Sequence, residues 1–145
     1  MRKFYKVSYN DTGIIPTRAD SGSAGHDFYA PEDIVIKPHE TVVVKTFIKA
    51  EMEKDEVMLL FVRSSIGIKR RLSIGCGTGV IDSTYFNNPD NEGNILAALY
   101  NYGDEEQVIK KGERFVQGVF VKYLITDDDK PLSATRMGGI GSSGK

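Results

Sequence analysis

Hydrophobic positions in this chain come in short bursts divided by Gly, Pro, Asn and Asp. Runs at residues 4–8, 34–36, 41–48, 56–62, 95–101 and 114–125 carry Val, Ile, Phe and Tyr in alternating or continuous apolar order. That is the pattern of strands with one or both faces covered. Only residues 64–71 read as a short helix, and no long stretch keeps a helical period. Many short strands with turn punctuation predict an all-β chain, an antiparallel sandwich, jelly roll or barrel rather than a βαβ arrangement.

Residues 79–85, Gly-Val-Ile-Asp-Ser-Thr-Tyr, stand at the centre of the pattern, with Gly75 and Gly77 just upstream. Glycines allow the backbone of a sharp turn and Val and Ile suit strands, so the segment is expected to form a tight β-hairpin with accessible backbone. Asp82 and Tyr85 beside open N–H and C=O groups would suit a small flat ligand and chemistry next to it. An ordinary hairpin with a turn Asp and a core Tyr is the alternative. Upstream, small residues 21–25 lead into His26 and Asp27, with Asp27 at the mouth of a strand or capping a turn. His26 reads as a partly exposed loop side chain. The other histidine, His39, lies in a turn, and no His/Cys metal cluster exists.

Arg63, Ser64 and Ser65 follow the apolar run 56–62 and open the short helix. A guanidinium, two hydroxyls and helix-terminal N–H groups together can hold an anion; a Ser N-cap with Arg63 in a structural ion pair is equally compatible. Lys69, Arg70 and Arg71 read as a solvated face. Gln117 lies in an otherwise apolar strand, where a buried amide needs a partner, either internal, a neighbouring chain or a ligand. The last ten residues are rich in Gly and Ser and cannot pack a core. Their backbone could wrap a polyphosphate with Arg136 supplying charge, although Walker spacing is absent.

Composition narrows the function. The 145 residues, 40% apolar, fit one core. Lys plus Arg (19) nearly balances Asp plus Glu (20), so no global field favours nucleic acid or an acidic membrane, and any phosphate must be held locally. The single cysteine, Cys76, excludes an internal disulfide, and the N-terminus lacks a secretion signal. The longest apolar run, residues 57–62, is six residues, far short of a membrane span. A cytoplasmic protein is expected.

Taken in order, five segments resemble the five motifs of the trimeric dUTPase family: Ala24-Gly25-His26-Asp27, Arg63-Ser64-Ser65, the 79–85 segment, Gly112-Glu113-Arg114-Phe115-Val116-Gln117, and the tail from Arg136 to Gly144. The resemblance implies a jelly-roll-like β-sandwich at residues 1–134 and a flexible tail, 135–145, that closes over a neighbouring subunit's site in a homotrimer. It implies Mg²⁺-assisted hydrolysis of dUTP to dUMP and pyrophosphate. Main-chain groups of Gly79, Val80 and Ile81 would select uracil, and Tyr85 would pack under the deoxyribose. Asp82 would orient and deprotonate the attacking water, and Asp27 would reach the ion through water. Ser64 would meet the oxygen bridging the α and β phosphorus atoms. Arg63, Ser65, Gln117, Arg136, Gly139, Gly141 and Ser142 would contact the phosphates, and Ile140 would cover the base.

Three features depart from the family pattern. Ile140 stands where many members have a stacking phenylalanine, and Cys76 where many have Asn. Seven residues, 86–92, separate Tyr85 from Gly93 where many have one or two, so an extra rim loop is expected. A dCTP deaminase would need a glutamate near Ala98 to shuttle protons, and deamination is disfavoured. A nucleotide-sensing interaction protein, using loop 86–92 toward a regulatory partner, is the rival of another class.

Overall fold

The computed structural model describes residues 1–132 of the chain. Eleven strands occur among the described residues: β1 (Lys3–Lys6), β2 (His26–Tyr29), β3 (Ile34–Ile36), β4 (Thr41–Lys45), β5 (Ile48–Glu51), β6 (Glu56–Val62), β7 (Leu72–Ile74), β8 (Gly79–Asp82), β9 (Leu96–Asn101), β10 (Gln107–Ile109) and β11 (Arg114–Lys122). Helical structure among the described residues is limited to one π-turn, Ser65–Lys69, and one 3-10 turn, Ser83–Tyr85.

All strand pairing among the described residues is antiparallel. A four-stranded sheet runs β2-β11-β6-β8 and a three-stranded sheet β4-β9-β7, with two-stranded ribbons β1-β5 and β3-β10 at the sides. Inward side chains from these layers share one core, in which Phe28, Met58 and Leu60 of the larger sheet join Leu72 and Leu99 of the smaller. No closed barrel forms, so the all-β expectation is met in its jelly-roll-like sandwich form.

Register decides which residues share the outer face of the larger sheet. Asp82 stands opposite Val57, and Val80 opposite Leu59. On the other side of β6, Val121 stands opposite Val57, Val119 opposite Leu59 and Gln117 opposite Phe61. Gln117 is in turn opposite Asp27 on β2. Because side chains alternate along a strand and cross-strand partners share a face, Asp82, Val80, Gln117 and Asp27 all lie on one side. Met58 and Leu60, the residues between, point into the core and are the most deeply buried of β6, at 0% and 1% exposure.

Several sequence expectations change. Residues 79–85 do not form a hairpin. A tight turn, in which the Gly77 N–H donates to the Ile74 carbonyl at 2.8 Å, carries the chain from β7 to β8. Those two strands pair with β9 and β6 in different sheets, because each finds a longer partner there than the single bridge between Ile74 and Gly77. The run 41–48 breaks at Phe47, which takes a left-handed φ of 59°, and becomes β4 and the start of β5. The helix stops short of Arg71, whose φ is 56°. His26 is no loop side chain: it sits on β2 and packs edge-on to Phe4 and Phe120, at centroid distances of 5.3 and 5.7 Å. The Lys69-Arg70-Arg71 trio is not wholly solvated, since Arg70 donates to the Glu113 carboxylate at 2.5 Å and to the Val108 carbonyl.

Candidate active site

One corner of the outer sheet face is a polar cleft of about 510 Å³ lined by Gly25, Asp27, Arg63, Ser64, Ser65 and Gln117, among others. Asp27 is almost fully covered, at 7% exposure, and its two oxygens face two guanidiniums: Arg63 Nε at 3.4 Å and Arg114 Nη1 at 3.4 Å. A second cation, Arg114, is thus part of this corner, a placement that its position in the segment 112–117 does not reveal. Ser64 has helical φ and ψ and makes no side-chain cap bond, so the N-cap alternative fails for its hydroxyl, which stays exposed on the cleft wall. The ion-pair half of that alternative holds, since Arg63 is bonded to Asp27 and to the Arg114 carbonyl.

Among the described residues Gln117 makes one long internal bond, from Nε2 to the Val62 carbonyl at 3.4 Å. Its amide oxygen lies across Gly25, where a Cβ would come within 2.3 Å of it. Gly25 is therefore a steric requirement of the cleft that the sequence shows only as a small residue.

The second corner is a shallower hollow of about 380 Å³ formed by Val57, Leu59, Val80, Asp82, Ser83, Thr84 and Tyr123. Val80 is 64% exposed and Tyr123 39%, an apolar surface left open beside a carboxylate. Thr84 donates its hydroxyl to Asp82 Oδ1 at 2.9 Å, which fixes one side of the carboxylate. β8 ends the sheet order, so the edge of Gly79, Val80 and Ile81 that faces away from β6 offers main-chain donors and acceptors. Tyr85 is buried at 8% exposure, and its hydroxyl donates to the Asn94 carbonyl at 2.6 Å. Cys76 is exposed on the preceding turn, its thiol 3.4 Å from the Thr78 carbonyl.

The structure keeps these two corners apart. Asp82 and Asp27 are separated by three strand steps of ~4.8 Å and four residues of ~3.3 Å rise, so about 20 Å of sheet lies between them. Ser64 lies beyond the far end of β6 from Asp82. No rotamer change brings Asp82 to Ser64 within one chain. The tail residues Arg136, Gly139, Ile140, Gly141 and Ser142 lie outside the described residues.

The described residues form an antiparallel sandwich of the all-β class, with a cleft lined by serines and an arginine at one corner and an edge strand ending in a carboxylate at another. Comparison with known proteins sharpens this. The sequence profile of the dUTPase family matches residues 11–144. The chain is 44% identical to the deoxyuridine 5'-triphosphate nucleotidohydrolase of Lactococcus lactis subsp. lactis (strain IL1403), over 95% of this chain and 93% of that protein. It is 31% identical to the Mus musculus enzyme of the same name, over 99% of this chain and 85% of that protein. The crystal structure of dUTPase from Streptococcus mutans superposes with a TM-score of 0.80 at 40% identity, covering 86% of this chain and 98% of that one. The chain belongs to the dUTPase family.

Proposed function

We propose that this protein hydrolyses dUTP to dUMP and pyrophosphate at sites assembled between copies of a homotrimer. The supporting observation is the placement of Asp82 and the Ser64 cleft on one sheet face but about 20 Å apart. A water attacking the α-phosphorus and a hydroxyl on the adjacent bridging oxygen must lie within a few ångströms of each other. Asp82 of one copy and Arg63, Ser64, Ser65 and Gln117 of a neighbour therefore complete a site. The open apolar surface around Val80 and Tyr123 is what such a neighbour would cover. The tail, 135–145, with Arg136, Gly139, Ile140, Gly141 and Ser142, closes the site from a further copy.

The chemistry follows from the two corners. The outer edge of β8 reads the pyrimidine through main-chain atoms, and cytosine's amino group would meet a backbone N–H and leave both unsatisfied. Tyr85 lies under the sugar. Asp82, held by Thr84, orients the water and takes its proton. Ser64 donates to the bridging oxygen as charge develops there, while the N–H of Ser65, the Gln117 amide and Arg63 hold the phosphate chain.

The residues present also fit a hard divalent ion carried by the substrate. No group of three or more His, Cys, Asp or Glu among the described residues forms a protein cage, yet Asp27 places one carboxylate at the cleft. Mg²⁺ typically keeps several waters and takes phosphate oxygens plus one or two carboxylates. Bound in this way it would neutralise phosphate charge, and Asp27 is the residue that would help hold it at the cleft.

Deamination of dCTP loses support, because the position a proton-shuttling glutamate would need is Ala98, whose methyl faces Gly75 of the β7–β8 turn. Consumption of dUTP would keep uracil out of DNA and supply dUMP for thymidylate synthesis. With Mg²⁺ present, purified protein is expected to release pyrophosphate from dUTP and not from dCTP, dTTP or UTP. Asp82→Asn is expected to keep nucleotide binding and lower kcat by about 10²-fold. Wild-type turnover in that variant, or ammonia release from dCTP, would overturn the assignment.

A further inference from the structure

Resting on the reading of Tyr85 as the ring beneath the sugar, we propose that Asn91, in loop 86–92, is a positioning residue that sets the depth of that ring and so the exclusion of ribonucleotides. The Tyr85 hydroxyl is held from two sides. It donates to the Asn94 carbonyl at 2.6 Å and accepts from Asn91 Nδ2 at 2.8 Å. A phenol held by two bonds of opposite sense cannot slide along its plane without losing one of them.

Asn91 is itself held. Its Oδ1 accepts from Asn88 Nδ2 at 2.8 Å and from the Gly93 N–H at 3.0 Å, which fixes which end of the amide faces Tyr85. Asn88 is buried, and its amide also donates to the Tyr85 carbonyl at 2.8 Å, so one knot of side chains holds both the ring and the backbone of Tyr85. Gly93, at a φ of +93°, lets the chain return under this knot, since a Cβ there would come within 2.9 Å of the Tyr85 carbonyl oxygen. The loop is anchored outside the site as well. Glu92 accepts from the Ser8 N–H at 2.7 Å and pairs with Lys49 at 3.2 Å. The extra residues after Tyr85 thus fold back and buttress the ring, which is a use for the loop that needs no partner protein.

A ring that discriminates a 2′-hydroxyl does so by contact, and contact repulsion changes steeply over fractions of an ångström. Asn91→Asp keeps an acceptor for Gly93 and Asn88 but presents no donor to Tyr85. The expected result is a five- to tenfold (~) fall in the ratio of kcat/KM for dUTP over UTP, the scale of one lost hydrogen bond, arising from a gain on UTP. In a Tyr85→Phe background, which lacks the hydroxyl, the same substitution should change nothing further, as a double-mutant cycle requires.

A merely structural loop would lower the melting temperature and reduce both substrates alike. An unchanged dUTP/UTP ratio in folded Asn91→Asp, or an equal effect with and without the Tyr85 hydroxyl, would overturn the proposal. Tyr85 ring mobility, followed by NMR, should also rise in Asn91→Asp. That readout needs no turnover, so it separates a failure of this proposal from a failure of the dUTP assignment, which inactivity of the wild type toward dUTP would signal.

Discussion

At the scale of single residues, the cleft depends on a side chain that is absent. Gly25 lets the Gln117 amide lie across β2, and an added methyl would meet Gln117 Oε1 at 2.3 Å. Gly25→Ala is expected to destabilise the fold by about 1–3 kcal/mol through overpacking and to lower kcat/KM by displacing the amide from the phosphates. In a Gln117→Ala background most of the stability cost should vanish, which thermal denaturation of the four proteins of the cycle would check. Asp27 shows the same dependence on neighbours. Its position before a strand was legible, but its place between Arg63 and Arg114 was not, because those residues arrive from β6 and β11.

At the scale of elements, β2 does two jobs with successive residues. Asp27 faces the outer cleft while His26 turns inward between Phe4 and Phe120, its buried Nδ1 without a hydrogen-bond partner among the described residues. Burial first, and the charge of Arg18 second, hold His26 below the usual imidazole value. Between that lowered value and the ordinary ~6.5 the unfolded chain takes up a proton that the folded chain refuses, so stability falls as pH drops through this window. The melting temperature of the wild type should therefore decline more from about pH 7.5 to about pH 5.5 than that of His26→Phe, which keeps the edge-on ring contacts without a titrating group. Equal declines would show that the imidazole is not what titrates. The small residues 21–25 place His26 in the loop and the strand mouth at Asp27, whereas β2 begins one residue earlier because His26 still pairs with Gly118 of β11.

At the scale of the whole molecule, the proposed site needs assembly, because Asp82 and Ser64 are too far apart to act together within one chain. Asp82→Asn and Ser64→Ala proteins should each be nearly inactive. Co-refolded in equal amounts, they should recover about a quarter of wild-type activity, because a site drawing its two residues from different copies finds both intact about one time in four in a randomly mixed symmetric oligomer. No recovery in mixed oligomers, whose mass light scattering would verify, would place both residues in one chain's own site. The sequence by itself determined the all-β class, the long strands β6, β9 and β11, and the identity of the chemical groups, since these depend on local apolar pattern and on residue type. It could not show that β7 and β8 part into different sheets, that Arg114 joins Asp27, or that residues 86–92 fold back onto Tyr85. Those outcomes depend on contacts between residues far apart in the chain, where pairing partners compete and the longer ladder wins. Only the tertiary structure puts the carboxylate and the serine on one face and, by the length of β6, out of each other's reach.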